Sequence, residues 1–328
     1  MQQNVCGEIR TSVLGFGCGS VLGRVGRSAS LRAMNCAWDL GITLFDTARS
    51  YGFGEAETVL GDFLRGKREQ AIVTTKYGIH PRKQSALNRM ILPAARVASQ
   101  IPGVRGLKRR GSAPKVAFGH FTVEGLRNAL ETSLRELRTD RVDVLFLHEA
   151  TASALHQHDL ITELDALVQA GKVLRVGLYA GPDVIADGMA NGPATLTALQ
   201  FGADFFDPLV AEFTQHNLRR LFMIANHPFG SKDRVARIKT VLAEMSVDQS
   251  VPVELREKIR GADWSLVLEA ILGMVLNAVG AHVLVFSMMR PEHQRLNANA
   301  IERNRFTSHE LQLMYRRCLH SSSQAPCE

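Results

Sequence analysis

Residues 122–148 read TVEGLRNALETSLRELRTDRVDVLFLH, and two different periods meet inside that stretch. Thr122, followed by Glu124 and Gly125, opens a run in which Leu126, Ala129, Leu130, Ser133, Leu134 and Leu137 recur at three- and four-residue steps, the pattern of an amphipathic helix. Residues 142–147, VDVLFL, are then almost continuously apolar over the length of one strand. A strand with no polar face is buried on both sides, as parallel strands flanked by helices are.

The same helix-then-strand alternation extends in both directions. Further strands are predicted over 13–18, 42–46, 71–76, 173–178, 195–201, 221–226 and 282–287, and helices over 29–40, 55–65, 160–170, 208–219, 233–245 and 264–279. Gly41, Gly66 and Gly171 stand where a left-handed residue would close a helix. Eight strands alternating with helices in 328 residues point to a single (β/α)8 TIM barrel over 1–320 rather than a doubly wound sheet. The Ser-rich end, 321–328, is expected to be a disordered tail. Residues 77–121 break the alternation. A connection after the third barrel strand should be short, so this stretch is read as an inserted loop, with a helical stripe from Leu87 to Ile101 interrupted by Pro93.

The charge is concentrated in that insertion. The chain carries 39 Lys plus Arg against 32 Asp plus Glu, and 80–116 holds nine of the basic residues and no acid; without them 30 basic residues face 32 acidic ones. A basic excess in one loop, with no aromatic interleaved, does not argue for nucleic-acid binding. It leaves two readings, a cationic lid over the active-site face or a solvated surface excursion. The five cysteines, Cys6, Cys18, Cys36, Cys318 and Cys327, form no C-x-x-C and no zinc spacing, which suits a reducing compartment. MQQNVCGEIRTSV lacks a charged leader followed by an apolar run, and the most apolar stretch, 266–286, is broken by Glu269, Asn277, His282, Gly273 and Gly280. The expectation is a cytoplasmic protein with no integral membrane association.

Three ionisable residues close three consecutive predicted strands: Asp46 after ITLF, Lys76 after IVTT and His148 after VLFL. A barrel carries its chemistry at the C-terminal ends of its strands, and neighbouring ends are close enough for Asp46 and Lys76 to pair, with His148 one strand further on. Tyr51 follows Asp46 by five residues, on the loop leaving the second strand. A phenol beside a buried ammonium is expected to have its pKa lowered toward the range useful for proton donation. The set is a proton relay with no activated Ser or Cys.

The linked run DTARSYGFGEAETVLG (46–61), the TTK ending at Lys76 and SLRELRTDRVDVLFLH ending at His148 resemble the aldo-keto reductase family, and the likeness extends from the first strand to PEHQRLN near the C-terminus. That resemblance implies a (β/α)8 barrel that moves hydride between NADP(H), or NAD(H), and an aldehyde, ketone or sugar. It implies Asp46, Tyr51, Lys76 and His148 as catalytic residues, with Tyr51 the proton donor in reduction. It further implies that Gln200 contacts the nicotinamide carboxamide, and that Ser287, Arg290 and Asn297 lie along the nucleotide. The chain departs from the family pattern at several places. Tyr179 and Ala180 stand where a Ser-Asn pair is usual, Asn226 and His227 where an aromatic is usual, and Leu296 replaces a Glu beside Asn297.

GFGCG (15–19) lacks dinucleotide-fold spacing, so its glycines are read as allowing close approach at the barrel mouth. His156 and His158 are read as solvated rather than as metal ligands, and no metal site is expected. Trp38 and Trp264 are read as packing residues, while Phe205 and Phe206 either wall a pocket or fill a loop. Two other functions stay open beside the oxidoreductase: a cofactor-binding or sensing barrel with little turnover, and a Schiff-base lyase using Lys76.

Overall fold

The computed structural model describes residues 1–23, 25–80, 121–207, 210 and 221–322. Eight parallel strands close on one another: β3 (Leu14–Gly17), β4 (Leu44–Asp46), β5 (Ile72–Tyr77), β6 (Val142–His148), β7 (Val173–Tyr179), β8 (Leu196–Gly202), β9 (Phe222–Asn226) and β10 (Val283–Phe286), with β10 paired to both β9 and β3. This is the (β/α)8 barrel that the alternation predicts, and each of the eight apolar runs forms one of its strands. Ahead of the barrel, β1 (Gln3–Cys6) and β2 (Ile9–Ser12) form an antiparallel hairpin that the sequence reading did not include.

Around the strands run α1 (Arg27–Asp39), α2 (Ala56–Phe63), α3 (Val123–Leu137), α4 (Ala152–Leu155), α5 (His158–Gln169), α6 (Pro182–Asn191), α7 (Lys232–Val247), α8 (Val253–Ile259), α9 (Trp264–Gly273), α10 (Pro291–Arg303) and α11 (Ser308–Ser322). Thr122 caps α3, its hydroxyl accepting from the Gly125 N–H at 3.1 Å, and Gly41, Gly66 and Gly171 all take positive φ. The helix expected over 264–279 is α9 continued by a single π turn at Met274–Ala278. Five of the described helices went unread: the short α4, α6, interrupted by Gly188 and stopped at Gly192, and α8, α10 and α11. Residues 321 and 322, assigned to a disordered tail, are the last two of α11. The helix expected over 208–219, the insertion from 81 to 120 and the tail from 323 onward lie outside the described residues.

Side-chain alternation along the strands fills the barrel. Leu44, Val144, Phe146, Ala198, Phe222, Ile224, Val283 and Val285 form one buried cluster, and Cys6 and Ile9 of the hairpin pack into it. Arg175, near the start of β7, donates to the Cys6 carbonyl at 2.9 Å and pairs with Glu8 at 3.2 Å, so the hairpin closes the N-terminal end of the barrel. Outside the strands, α2 and α3 meet closely at Gly61, where a Cβ would lie 2.2 Å from the Glu136 carbonyl oxygen. Among the described residues no helix is long and apolar enough to cross a membrane.

Candidate active site

The inward rows of the barrel end in polar residues. Two positions beyond Leu44, Phe146, Ala198 and Ile224, on the same face of each strand, stand Asp46, His148, Gln200 and Asn226. Lys76 follows Thr74 in the same way on β5. These five polar side chains are all buried, and Lys76 is 1% exposed. A polar group at such depth needs a partner or a ligand.

Lys76 has its partners. Its Nζ donates to Asp46 Oδ1 at 2.6 Å and to the Thr47 carbonyl at 3.0 Å, and the Thr74 hydroxyl donates to the same Asp46 oxygen at 2.6 Å. The ammonium also lies 5.1 Å from the centre of the Tyr51 ring. The His148 ring meets the Tyr51 ring edge-on at 6.3 Å and 89°, so Asp46, Tyr51, Lys76 and His148 come together at one mouth. The expected lowering of the Tyr51 pKa is corrected by this arrangement. Burial pushes the phenol well above its ordinary range, and the Asp46 carboxylate pushes it further. The sequence shows the ammonium beside the phenol but not how deeply the phenol is buried. His148 moves the other way: burial first, and the Lys76 charge second, lower it to about 3. Its imidazole is therefore neutral at ordinary pH, and its buried Nδ1 has no hydrogen-bond partner.

The loop that presents Tyr51 is held from below. Arg49 pairs with Glu57 and, at 2.7 Å, with Glu136, while the Thr75 hydroxyl donates to Glu57 at 2.6 Å. Thr74 and Lys76 face the barrel interior, so Thr75 between them faces out to this network. Arg49 and Glu57 stand within the run 46–61, but their pairing depends on Glu136, 87 positions away from Arg49, and could not be read from spacing. Directly after Tyr51, Gly52, Phe53 and Gly54 all take positive φ (57°, 61° and 88°), a conformation that strains the bulky Phe53.

A cleft of about 790 Å³ opens beside Asp46 and Tyr51 and is walled by Gly17, Gly19, Asn226, Phe229, Trp264, Ser287, Leu296 and Asn297, among others. That is the size of small-molecule and cofactor sites. Gly17 and Gly19 line it, and of the two only Gly17 is closely approached, a Cβ there lying 3.0 Å from Val285 and 3.2 Å from the Phe286 main chain. Of the four residues expected along a nucleotide, Ser287 and Asn297 line the cleft. Asn297 turns its amide nitrogen to the Met288 sulfur at 3.2 Å. Arg290 is exposed at the N-cap of α10, and it is not among the lining residues. Gln200 is wholly buried, and both its amide oxygen and its amide nitrogen lack a partner. A buried donor and acceptor on one planar group fit a carboxamide, so these residues suit a nicotinamide nucleotide.

Where the chain departs from the family pattern, the replacements meet each other. Tyr179 shares a hydrogen bond with the Asn226 side chain and packs on His148 at 5.2 Å, and Asn226 Oδ1 lies 3.0 Å from His227 Nδ1. Phe205 and Phe206 are buried in the core, so they fill the loop rather than wall the cleft. Trp38 packs on Phe45 and Phe63, whereas Trp264, read as a packing residue, is 41% exposed in the cleft wall. His156 and His158 are exposed, and among the described residues no group of His, Cys, Asp and Glu is placed to hold a metal.

The model of the Aldo/keto reductase family matches residues 13–212. A Glycine max protein named Probable aldo-keto reductase 1 is 29% identical over 196 residues, 58% of this chain and 48% of its own length. A D-threo-aldose 1-dehydrogenase from a Pseudomonas species is 32% identical over 157 residues, 45% of this chain and 41% of its own. The chain thus spans less than half the length of either relative. Among solved structures, the holo form of an aldo-keto reductase from Bacillus halodurans superposes with a TM-score of 0.68 at 21% identity, covering 97% of this chain and 96% of that one.

Proposed function

The chain belongs to the aldo/keto reductase family, and from that premise we propose that it is an NAD(P)-dependent oxidoreductase interconverting an aldehyde, ketone or sugar carbonyl with its alcohol. The observation that carries this reading is the Lys76 ammonium, bonded to Asp46 at 2.6 Å and set 5.1 Å from the centre of the Tyr51 ring, beside a neutral His148.

When bound along the cleft, the nicotinamide nucleotide supplies the hydride in reduction and takes it up in oxidation. The protein's part is the proton. Tyr51 donates its phenolic hydrogen to the carbonyl oxygen as that oxygen gains charge, and the same phenol accepts a proton in the reverse direction. The raised pKa makes this phenol a weaker acid than a free one, so donation depends on a neighbouring charge that stabilises the phenolate. Lys76, oriented by Asp46 and the Thr47 carbonyl, stabilises the phenolate that donation leaves behind. His148, as an uncharged imidazole, hydrogen-bonds the substrate oxygen and fixes its position. Gln200 pairs with the carboxamide, Ser287 and Asn297 line the nucleotide's path, and Arg290 is the cation available to a 2′-phosphate, which would favour NADP(H) over NAD(H). A small-molecule carbonyl or sugar in the cytoplasm completes the reading, and the similarity to an aldose dehydrogenase puts aldoses first among substrates to try.

The lyase alternative loses ground because the ion pair with Asp46 at 2.6 Å favours the ammonium form of Lys76, which has no lone pair for a Schiff base. Tyr51→Phe separates the remaining readings. Turnover with NADPH or NADH on a panel of aldoses and simple carbonyls should fall by about 10²- to 10⁴-fold while nucleotide binding persists. Parent-level turnover in this variant would remove Tyr51 from the chemistry, and nucleotide binding with no turnover even in the parent would favour the sensing barrel.

A further inference from the structure

An imidazole that binds a reacting oxygen is usually oriented by the hydrogen bond its other nitrogen makes. In His148 that bond is missing, because Nδ1 is buried and has no partner. What meets the ring instead is aromatic. Tyr51 stands edge-on to it at 6.3 Å, and Tyr179 of the neighbouring strand lies tilted against it at 5.2 Å and 37°. His148 and Tyr179 are direct partners in the parallel ladder, and the Glu149 N–H donates to the Tyr179 carbonyl at 2.7 Å, so the two side chains leave the barrel wall at one level. The Tyr179 ring is itself held at its far end. Its hydroxyl shares a hydrogen bond with the Asn226 side chain, two strands away on β9, and Asn226 Oδ1 lies 3.0 Å from His227 Nδ1. An amide oxygen only accepts, so His227 donates to it and the Asn226 nitrogen is left to donate to the phenol.

We propose that Tyr179 is a positioning residue for His148: tethered to β9 through Asn226, its ring holds the imidazole in the orientation that a hydrogen bond to Nδ1 would otherwise fix. This rests on the reading of His148 as the group that bonds the substrate oxygen. It gives a task to two departures from the family pattern, at Tyr179 and Asn226, that the proton transfer leaves unused. The groups that face the imidazole are Lys76 on β5, Tyr51 on the loop after β4 and Tyr179 on β7, with Glu149 next in the chain. Lys76 and Tyr51 take part in moving the proton, so Tyr179 is the one whose ring can be changed without altering that step directly.

Steady-state kinetics of the full chain with 4-nitrobenzaldehyde and the better of NADPH and NADH, in single and double variants, test the role. Tyr179→Ala should lower kcat by about 10- to 100-fold, the effect of a misplaced contact to the reacting atoms. In a His148→Ala background the same change should lower it by less than about twofold, because a residue that acts through the imidazole has nothing to act on once it is gone. Tyr179→Phe keeps the ring, loses only the tether and should recover most of the loss, which a misfolded variant could not do. A readout independent of turnover is the His148 ring itself, followed by NMR in histidine-labelled protein. At about pH 5 the parent and Tyr179→Phe should show it neutral, whereas Tyr179→Ala, with the imidazole opened to water, should show it largely protonated. Equal losses in the two backgrounds, or a neutral His148 in Tyr179→Ala, would overturn the positioning role and leave the oxidoreductase reading intact. Parent-level turnover in His148→Ala would remove His148 from the chemistry and Tyr179 with it.

Discussion

A histidine that refuses its proton has a cost that can be measured. Burial and the Lys76 ammonium lower His148 from about 6.5 to about 3, whereas in the unfolded chain it titrates near the ordinary value. Between those limits the unfolded state binds a proton that the folded state does not, so stability rises with pH through this window and is lost as the pH falls. His148→Asn should cut the proton uptake on unfolding at about pH 5 by close to one, read from the slope of unfolding free energy against pH. An unchanged slope would mean that the imidazole is not held neutral. Asp46, Lys76 and His148 were legible because an ionisable group closing a buried apolar run has no local explanation. The Tyr51 pKa was misjudged in direction because burial of the phenol, which only the packing shows, outweighs the neighbouring ammonium. Gln200 could be named from the family pattern, but the two empty valences of its amide are a fact of three-dimensional packing.

The contact between α2 and α3 is where a helix pair holds the loop carrying Tyr51 from outside the barrel. The Arg49, Glu57 and Glu136 network that anchors the Tyr51 loop spans these two helices, and their approach depends on Gly61. A Cβ there would also meet the Leu137 backbone carbon at 2.9 Å, so the obstruction is main chain and cannot swing aside. Gly61→Ala should destabilise the fold by about 1–3 kcal/mol in urea unfolding, the usual price of overpacking. An unaffected midpoint would show that the helices can separate freely. The eight barrel strands were readable because most are near-continuous apolar runs alternating with helical patterns. The β1–β2 hairpin and α6 were not: QNVC and IRTS contain no apolar run, and α6 has its pattern cut by Gly188.

The barrel as a whole is asymmetric, with an apolar plug tied by Arg175 at one end and the polar candidate site at the other. Arg175→Ala would strip the Cys6 carbonyl and Glu8 of their shared cation, loosening the hairpin while leaving the mouth untouched. The buried Cys6 thiol should then react faster with a thiol reagent, located by mass spectrometry, with turnover retained; a Cys6 as protected as in the parent would mean that the hairpin holds without that tie. Ile9 and Cys6 act as a stopper in the far end of the cylinder. A cylinder plugged in this way can be entered only from its opposite rim, where the cleft beside Asp46 and Tyr51 opens.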